Sequence, residues 1–179
     1  MSDNGERQSD RAAALRREFD DAFGRASLLS DRDGVELLAV RVCADAHAIR
    51  LSETAGLFAD RRITPVPGPL PELLGMVGLR GAIVPVYDLR LLLGHAPATP
   101  PRWLVLAAGG HVGLAFDKLD RHVVVPRASI VAEPGPAASG APARELVDLP
   151  GAGRSVLLRV SSLVEEIAAR VRLARPGKE

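Results

Sequence analysis

The chain has 179 residues, 47% hydrophobic, 25% charged and 3% aromatic, which suits one globular domain or two small ones and excludes disorder throughout. Seventeen glycines and fourteen prolines argue against a simple helical bundle and for short strands joined by tight turns, so a mainly β architecture is expected. With 23 basic and 22 acidic side chains the formal net charge is +1, too little to hold a phosphate backbone by bulk field, which sets nucleic acid aside as the main partner.

Residues 1–34 differ from the rest, with six arginines and eight acidic residues. Within this charged extension Asp10 caps a predicted helix over 10–27, whose Leu15, Phe19, Phe23 and Ala26 form one narrow apolar stripe. That stripe can lie on the chain's own domain or dock on a partner. From Val35, the run VELLAVRVCADAHAIRL predicts two strands with a hairpin turn at Asp45. The stretch ITPVPGPLPELLG follows, and its prolines 65, 67, 69 and 71 deny ladder hydrogen bonds, so an ordered connector is expected. GLRGAIVPVYDLRLLLG then predicts a turn at Gly78 to Gly81, a strand through Ile83, Pro85 and Tyr87, and a short helix capped by Asp88 and stopped at Gly94. Pro85 suggests a strand edge.

Beyond APATPPR, two apolar runs in WLVLAAGGHVGLAFDKLDRHVVVP meet at Gly109-Gly110, a dipeptide favoured in two-residue hairpins. Residues 132–145, AEPGPAASGAPARE, hold too little apolar bulk to offset their ordering entropy, and a mobile loop is expected there. A last strand around Ser155 to Val160 precedes SSLVEEIAARVRLAR. There Ser162 and Glu165 suggest a capping box and Leu163, Ile167 and Val171 share a helix face.

A single cysteine, Cys43, cannot close an intramolecular disulfide or supply a thiolate cage for zinc, and it continues the apolar run from Val35. A reduced, cytoplasmic setting is expected. The opening MSDNGERQSD is polar where a secretory signal needs a basic start and an apolar stretch. Arg80, Asp88 and Arg90 interrupt the most apolar region, so no direct membrane insertion is expected.

The residue types that carry catalysis are sparse. The four histidines, His47, His95, His111 and His122, show no pair at helical ligand spacing, so no metal site is expected, and His47 reads as a partly buried strand residue. Nucleophile elbows and phosphate-binding loops are missing, and Gly75-Met76-Val77-Gly78, outwardly like an RNA-clamping turn, has apolar central residues. Asp88, Asp117 and Asp120 occupy capping and turn positions rather than those of a paired-carboxylate site. No catalytic residue and no cofactor is assigned. Arg80 is different: flanked by Leu79 and Gly81 in a tight turn, it can offer a rigid fork to a carboxylate or to backbone carbonyls, which suits a protein interface.

The order of segments resembles the CheW family of chemotaxis coupling proteins. The specific part is Gly75, Leu79, Arg80 and Gly81 followed by Pro85-Val86-Tyr87-Asp88-Leu89-Arg90, with Gly113, Leu114 and Asp117 as a second match. The resemblance implies a CheW-like domain over 35–175, with two SH3-like β-barrel subdomains of about five strands each and short helices, to which the N- and C-terminal helices read from the residues are added. It also implies a non-enzymatic adaptor that couples the cytoplasmic tip of a methyl-accepting chemoreceptor to the regulatory domain of a CheA-like histidine kinase. By the same resemblance Leu79, Arg80, Gly81, Asp88 and Arg90 lie at the protein interface. Family members usually carry asparagine at the position of Gly78 and an acidic residue at that of Arg159. These departures and the long extension leave open a scaffold of an accessory chemosensory pathway serving surface motility or another output. A small-barrel nucleic-acid module is the further alternative.

Overall fold

The computed structural model describes residues 34–68, 70–96, 100–133 and 144–174. The helix predicted over 10–27 lies outside them, as does the centre of the loop predicted over 132–145. The strands in chain order are β1 (Gly34–Val42), β2 (Asp45–Arg50), β3 (Thr54–Ala59), β4 (Leu73–Leu79) and β5 (Ala82–Asp88), then β6 (Trp103–Ala107), β7 (Gly113–Phe116) and β8 (Lys118–Pro126), and finally β9 (Ile130–Glu133), β10 (Arg144–Leu149) and β11 (Gly153–Leu158). Helix α1 (Leu89–Leu92) follows β5 and α2 (Val160–Ala174) follows β11; 3₁₀ turns occupy Leu51–Glu53 and Arg127–Ser129.

The strands form two sheets, β8-β1-β2-β11-β10-β9 and β3-β6-β7-β5-β4. The mainly β expectation with two units holds, but one unit has six strands rather than five. The second sheet is an excursion of the chain between β2 and β8. The first sheet is built from both ends of the described chain, sealed by the parallel pairing of β11 with β2, where Val156 lies opposite His47.

Strands buried on both faces explain the unbroken apolar runs of the sequence. Along β1, Leu38, Val40 and Val42 face a core shared by both sheets, whereas Leu37 and Ala39 face a second core on the other side. In the second sheet Val105, Leu114 and Phe116 enter the shared core, and Leu104, Leu106 and Ala115 turn to a third cluster with Val77, Leu79, Val84 and Val86. Helix α2 closes the shared core with Val160 and Ile167.

Several boundaries differ from the expectations. The first hairpin turns at Cys43 and Ala44, with Asp45 already paired to Val42, and Cys43 is exposed at φ +55° rather than part of a buried run. Between β6 and β7 the turn is wider than two residues, because the Ala107 N–H bonds the Val112 carbonyl and both Gly109 and Gly110 have positive φ. The run after Gly110 is divided too: β7 stays in the second sheet while β8 crosses to pair with β1. β5 is an interior strand, but β7 pairs with it only from Val86 onward, so Pro85 has β4 alone beside it. Residues 132, 133, 144 and 145 belong to strands β9 and β10, which pair with each other. Helix α2 starts at Val160, ahead of the predicted capping box. A distant carboxylate caps it instead: Glu53 Oε2 accepts from the Ser161 N–H at 3.1 Å.

If the two sheets share one core, Phe116→Ala should lower stability by about 3 to 5 kcal/mol. Urea unfolding followed by Trp103 fluorescence and far-UV circular dichroism should then give coincident transitions; separated ones would show independently stable units.

Candidate functional site

The block from Gly75 to Arg90 folds as the β4–β5 hairpin and α1, and its signature residues have separate mechanical reasons. Gly75 has φ +144°, and a Cβ there would fall 2.1 Å from the Thr64 carbonyl oxygen. Glycine lets the connector approach closely enough for Thr64 and Met76 to exchange backbone hydrogen bonds of 2.8 and 2.9 Å. Leu79 is buried in the third core cluster. Arg80 and Gly81 form the whole of the turn, with φ +49° and +82°, the left-handed pair of a type I′ hairpin. Gly78 is outside it, extended in β4 opposite Ile83, so the predicted turn narrows to two residues and the Gly75–Gly78 tetrapeptide is strand.

Glycine adopts positive φ freely, whereas arginine does so at a cost of about 1 kcal/mol. Two contacts hold Arg80 in place. Its Nη1 donates to the Ala55 carbonyl at 3.0 Å, and its guanidinium lies 5.9 Å from the centroid of the Phe58 ring. Ala55 is available because the β3–β6 register shifts between Thr54 and Gly56, leaving Ala55 bulged out of the ladder. Strands β3 and β4 are opposite edges of the sheet, so this contact requires the sheet to curl back on itself. Arg80 and Gly81 are exposed at the tip, and beside them Ile83 presents an apolar side chain that is 78% exposed.

Asp88 and Arg90 are placed quite differently, at 1% and 2% exposure. One Asp88 oxygen caps α1 by accepting from the Arg90 N–H at 2.9 Å. The same carboxylate accepts from Arg90 Nε at 2.9 Å and from Nη2 at 2.7 Å. These bonds raise the Arg90 pKa above its ordinary value and keep it charged. Arg90 Nη1 also donates to Asp117 Oδ1 at 3.1 Å, and Asp117 Oδ2 accepts from the Cys43 N–H at 2.6 Å. A continuous polar link therefore runs from the end of β5 to the β1–β2 turn. Of the residues expected at the protein interface, Leu79, Asp88 and Arg90 are buried in this chain: Leu79 packs in the third cluster beneath the tip, while Asp88 and Arg90 at the far end of β5 join the second sheet to the first hairpin.

The sequence description of the CheW-like domain matches residues 36–168, from β1 into α2. The chain belongs to the CheW-like domain family. Among solved structures, its fold is similar to that of the scaffolding protein TtCheW from Thermoanaerobacter tengcongensis, with a TM-score of 0.61 and 18% identity over 73% of this chain and 92% of that one. A search of the curated proteins finds no match. No helix among the described residues is long and apolar enough to cross a membrane.

Within this CheW-like domain, Arg159 has a local role. It approaches Glu145 at 3.3 Å, while Arg50 grips the same carboxylate through two bonds of 2.9 Å. The Arg50 hydrogen bonds hold the Glu145 carboxyl below its ordinary pKa of 4.5. The departure at Arg159 thus adds a second cation to a carboxylate that already ties β10 to β2.

A further cluster escaped the sequence reasoning. Asp45 and His47 alternate on β2 and so share a face, and His95, beyond α1, comes within 3.7 Å of Asp45. Burial pushes the His47 pKa down, and neither ring nitrogen has a hydrogen-bond partner among the described residues. The Asp-x-His spacing was a legible signal; the third member was not, because tertiary packing alone brings position 95 to β2.

Two outcomes follow. Arg90→Leu should cost about 3 to 5 kcal/mol by leaving Asp88 charged and buried, and adding Asp88→Asn should recover part of that loss in chemical denaturation. For Glu145, the lower folded pKa means that the unfolded chain takes up the proton first. Its contribution is full above about pH 4.5 and is lost as pH falls through the folded value. Glu145→Gln should therefore lower neutral-pH stability by about 1 to 3 kcal/mol and flatten the acid limb of a stability-versus-pH curve.

Proposed function

We propose that this chain is a non-enzymatic adaptor that couples the cytoplasmic tip of a methyl-accepting chemoreceptor to the regulatory domain of a CheA-like histidine kinase. It acts in the cytoplasm, recruited to membrane-associated receptor arrays. Family membership supplies the class. The observation that carries the reading further is Arg80, a non-glycine residue held in left-handed backbone at an exposed hairpin tip. Backbone strain of this kind persists where the surroundings over-determine it, and it concentrates at functional positions. The Ala55 and Phe58 contacts pre-order the guanidinium, so less side-chain entropy is lost when it meets a carboxylate or a row of carbonyl oxygens. The exposed Ile83 adds an apolar contact next to the charge, the combination typical of an interface anchor and its surround.

Function here is a matter of binding alone: two modest interfaces, one to each partner, let the receptor's state reach the kinase. Calorimetric titration of the full chain with the regulatory domain of the kinase, and separately with the receptor tip, tests this. Wild type should bind with micromolar affinity. Arg80→Glu should weaken at least one interface by about tenfold, roughly 1.4 kcal/mol, with its melting temperature little changed. Undiminished binding of both partners by a folded Arg80→Glu protein would remove the hairpin tip from the interface, and silence of wild type toward both would end the coupling reading.

A further inference from the structure

We infer that Asp45, His47 and His95 form a binding site for a divalent transition-metal ion of the zinc class. Each residue offers one donor atom, and the three donor atoms lie within 4.8 Å of one another. The His95 Nε2 and Asp45 Oδ2 atoms are already 3.7 Å apart. Tetrahedral zinc, with bonds of 2.0 to 2.2 Å to nitrogen and oxygen, sets its ligand atoms about 3.3 Å apart. From the 4.8 Å bound, the donors need to draw together by at most about 1.5 Å.

The backbone holds all three positions. Asp45 and His47 are fixed by the β1–β2 register, opposite Val42 and Val40. Gly94 turns the chain at φ +84° after α1, and the His95 N–H bonds the Arg90 carbonyl at 2.9 Å. His95 is thereby anchored to the helix that Asp88 caps.

The independent sign of a ligand is His47. The residue is only 9% exposed, and neither ring nitrogen finds a hydrogen-bond partner among the described residues. Buried polar groups are almost always satisfied, and an imidazole with nothing to bond has an unmet lone pair available to a metal. Two imidazoles with one carboxylate suit zinc, cobalt or nickel; calcium and magnesium prefer oxygen donors throughout. Asp45, with its side chain 64% exposed, stands at the mouth, so a fourth position stays open to water. An ion bound here would join β2 of the first sheet to the segment following α1, at a place separate from the Arg90–Asp117 link.

The experiment uses the full chain after treatment with a chelator and its removal. Cobalt(II) is titrated in as a spectroscopic stand-in, then displaced with zinc, and melting temperature is recorded against zinc concentration. Expected are one equivalent of cobalt with visible d–d absorption, its loss on adding zinc, and a melting temperature that rises with zinc. His95→Ala and Asp45→Asn, at the more exposed positions, should each weaken cobalt binding by more than about tenfold while keeping the circular dichroism of wild type. His47→Ala should do the same, and if that variant fails to fold the other two decide. Absence of cobalt absorption with folded wild type overturns the site. So does unchanged affinity in both His95→Ala and Asp45→Asn, or a thiolate charge-transfer band that places the ion on Cys43.

Discussion

The Arg90 guanidinium is the constraint on which much of this structure depends. A charge at 2% exposure is tolerable only when its hydrogen bonds are met, and Asp88 and Asp117 meet them from two different directions. Asp88 is at once the end of β5, the cap of α1 and the main counter-charge. Asp117 sits where the chain leaves the second sheet for the first, and its free oxygen fixes the N–H of Cys43 in the first hairpin. Three local decisions in the backbone are thus locked to one buried cation.

The remaining architecture is two-faced packing. Among the described residues, the central strands send alternate residues to the shared core and to a core of their own sheet, so both faces of these strands are already packed. The Arg80 hairpin is the turn in which backbone strain, an ordered cation and an exposed aliphatic neighbour coincide. Its geometry depends on a bulge in β3 and on the curl of the sheet that brings β3 to the tip of β4 and β5.

Charge does other structural work at the seams. Glu53 caps α2 from a 3₁₀ turn more than a hundred residues earlier in the chain. Glu72 in the connector receives Arg170 of α2 at 2.6 Å, and Glu145 gathers Arg50 and Arg159. Such pairs are mostly part-buried, which makes them better at fixing the register between elements than at adding net stability.

What the sequence by itself determined is local. Alternating and continuous apolar runs placed most strands, the Arg80-Gly81 and Asp88 positions declared a turn and a cap, and the order of the Gly75 to Arg90 block carried the family. These signals depend on backbone preferences within a few residues, which one stretch of chain can express alone. Strands β3, β4, β9 and β10 were missed: β4 begins inside the proline connector, β9 and β10 abut a proline- and glycine-rich stretch and read as its continuation, and β3 carries no alternating apolar pattern. Tertiary structure alone decided that Arg90 is buried while Arg80 is exposed, since both are arginines beside strand ends and the surroundings that receive them, Asp117 for Arg90 and Ala55 and Phe58 for Arg80, come from distant parts of the chain. It alone brought His95 to Asp45 and His47, and Glu53 to the start of α2. Contacts between residues far apart in the chain arise from how the sheets curl and stack, a geometry fixed by the packing of all the elements together rather than by any single segment.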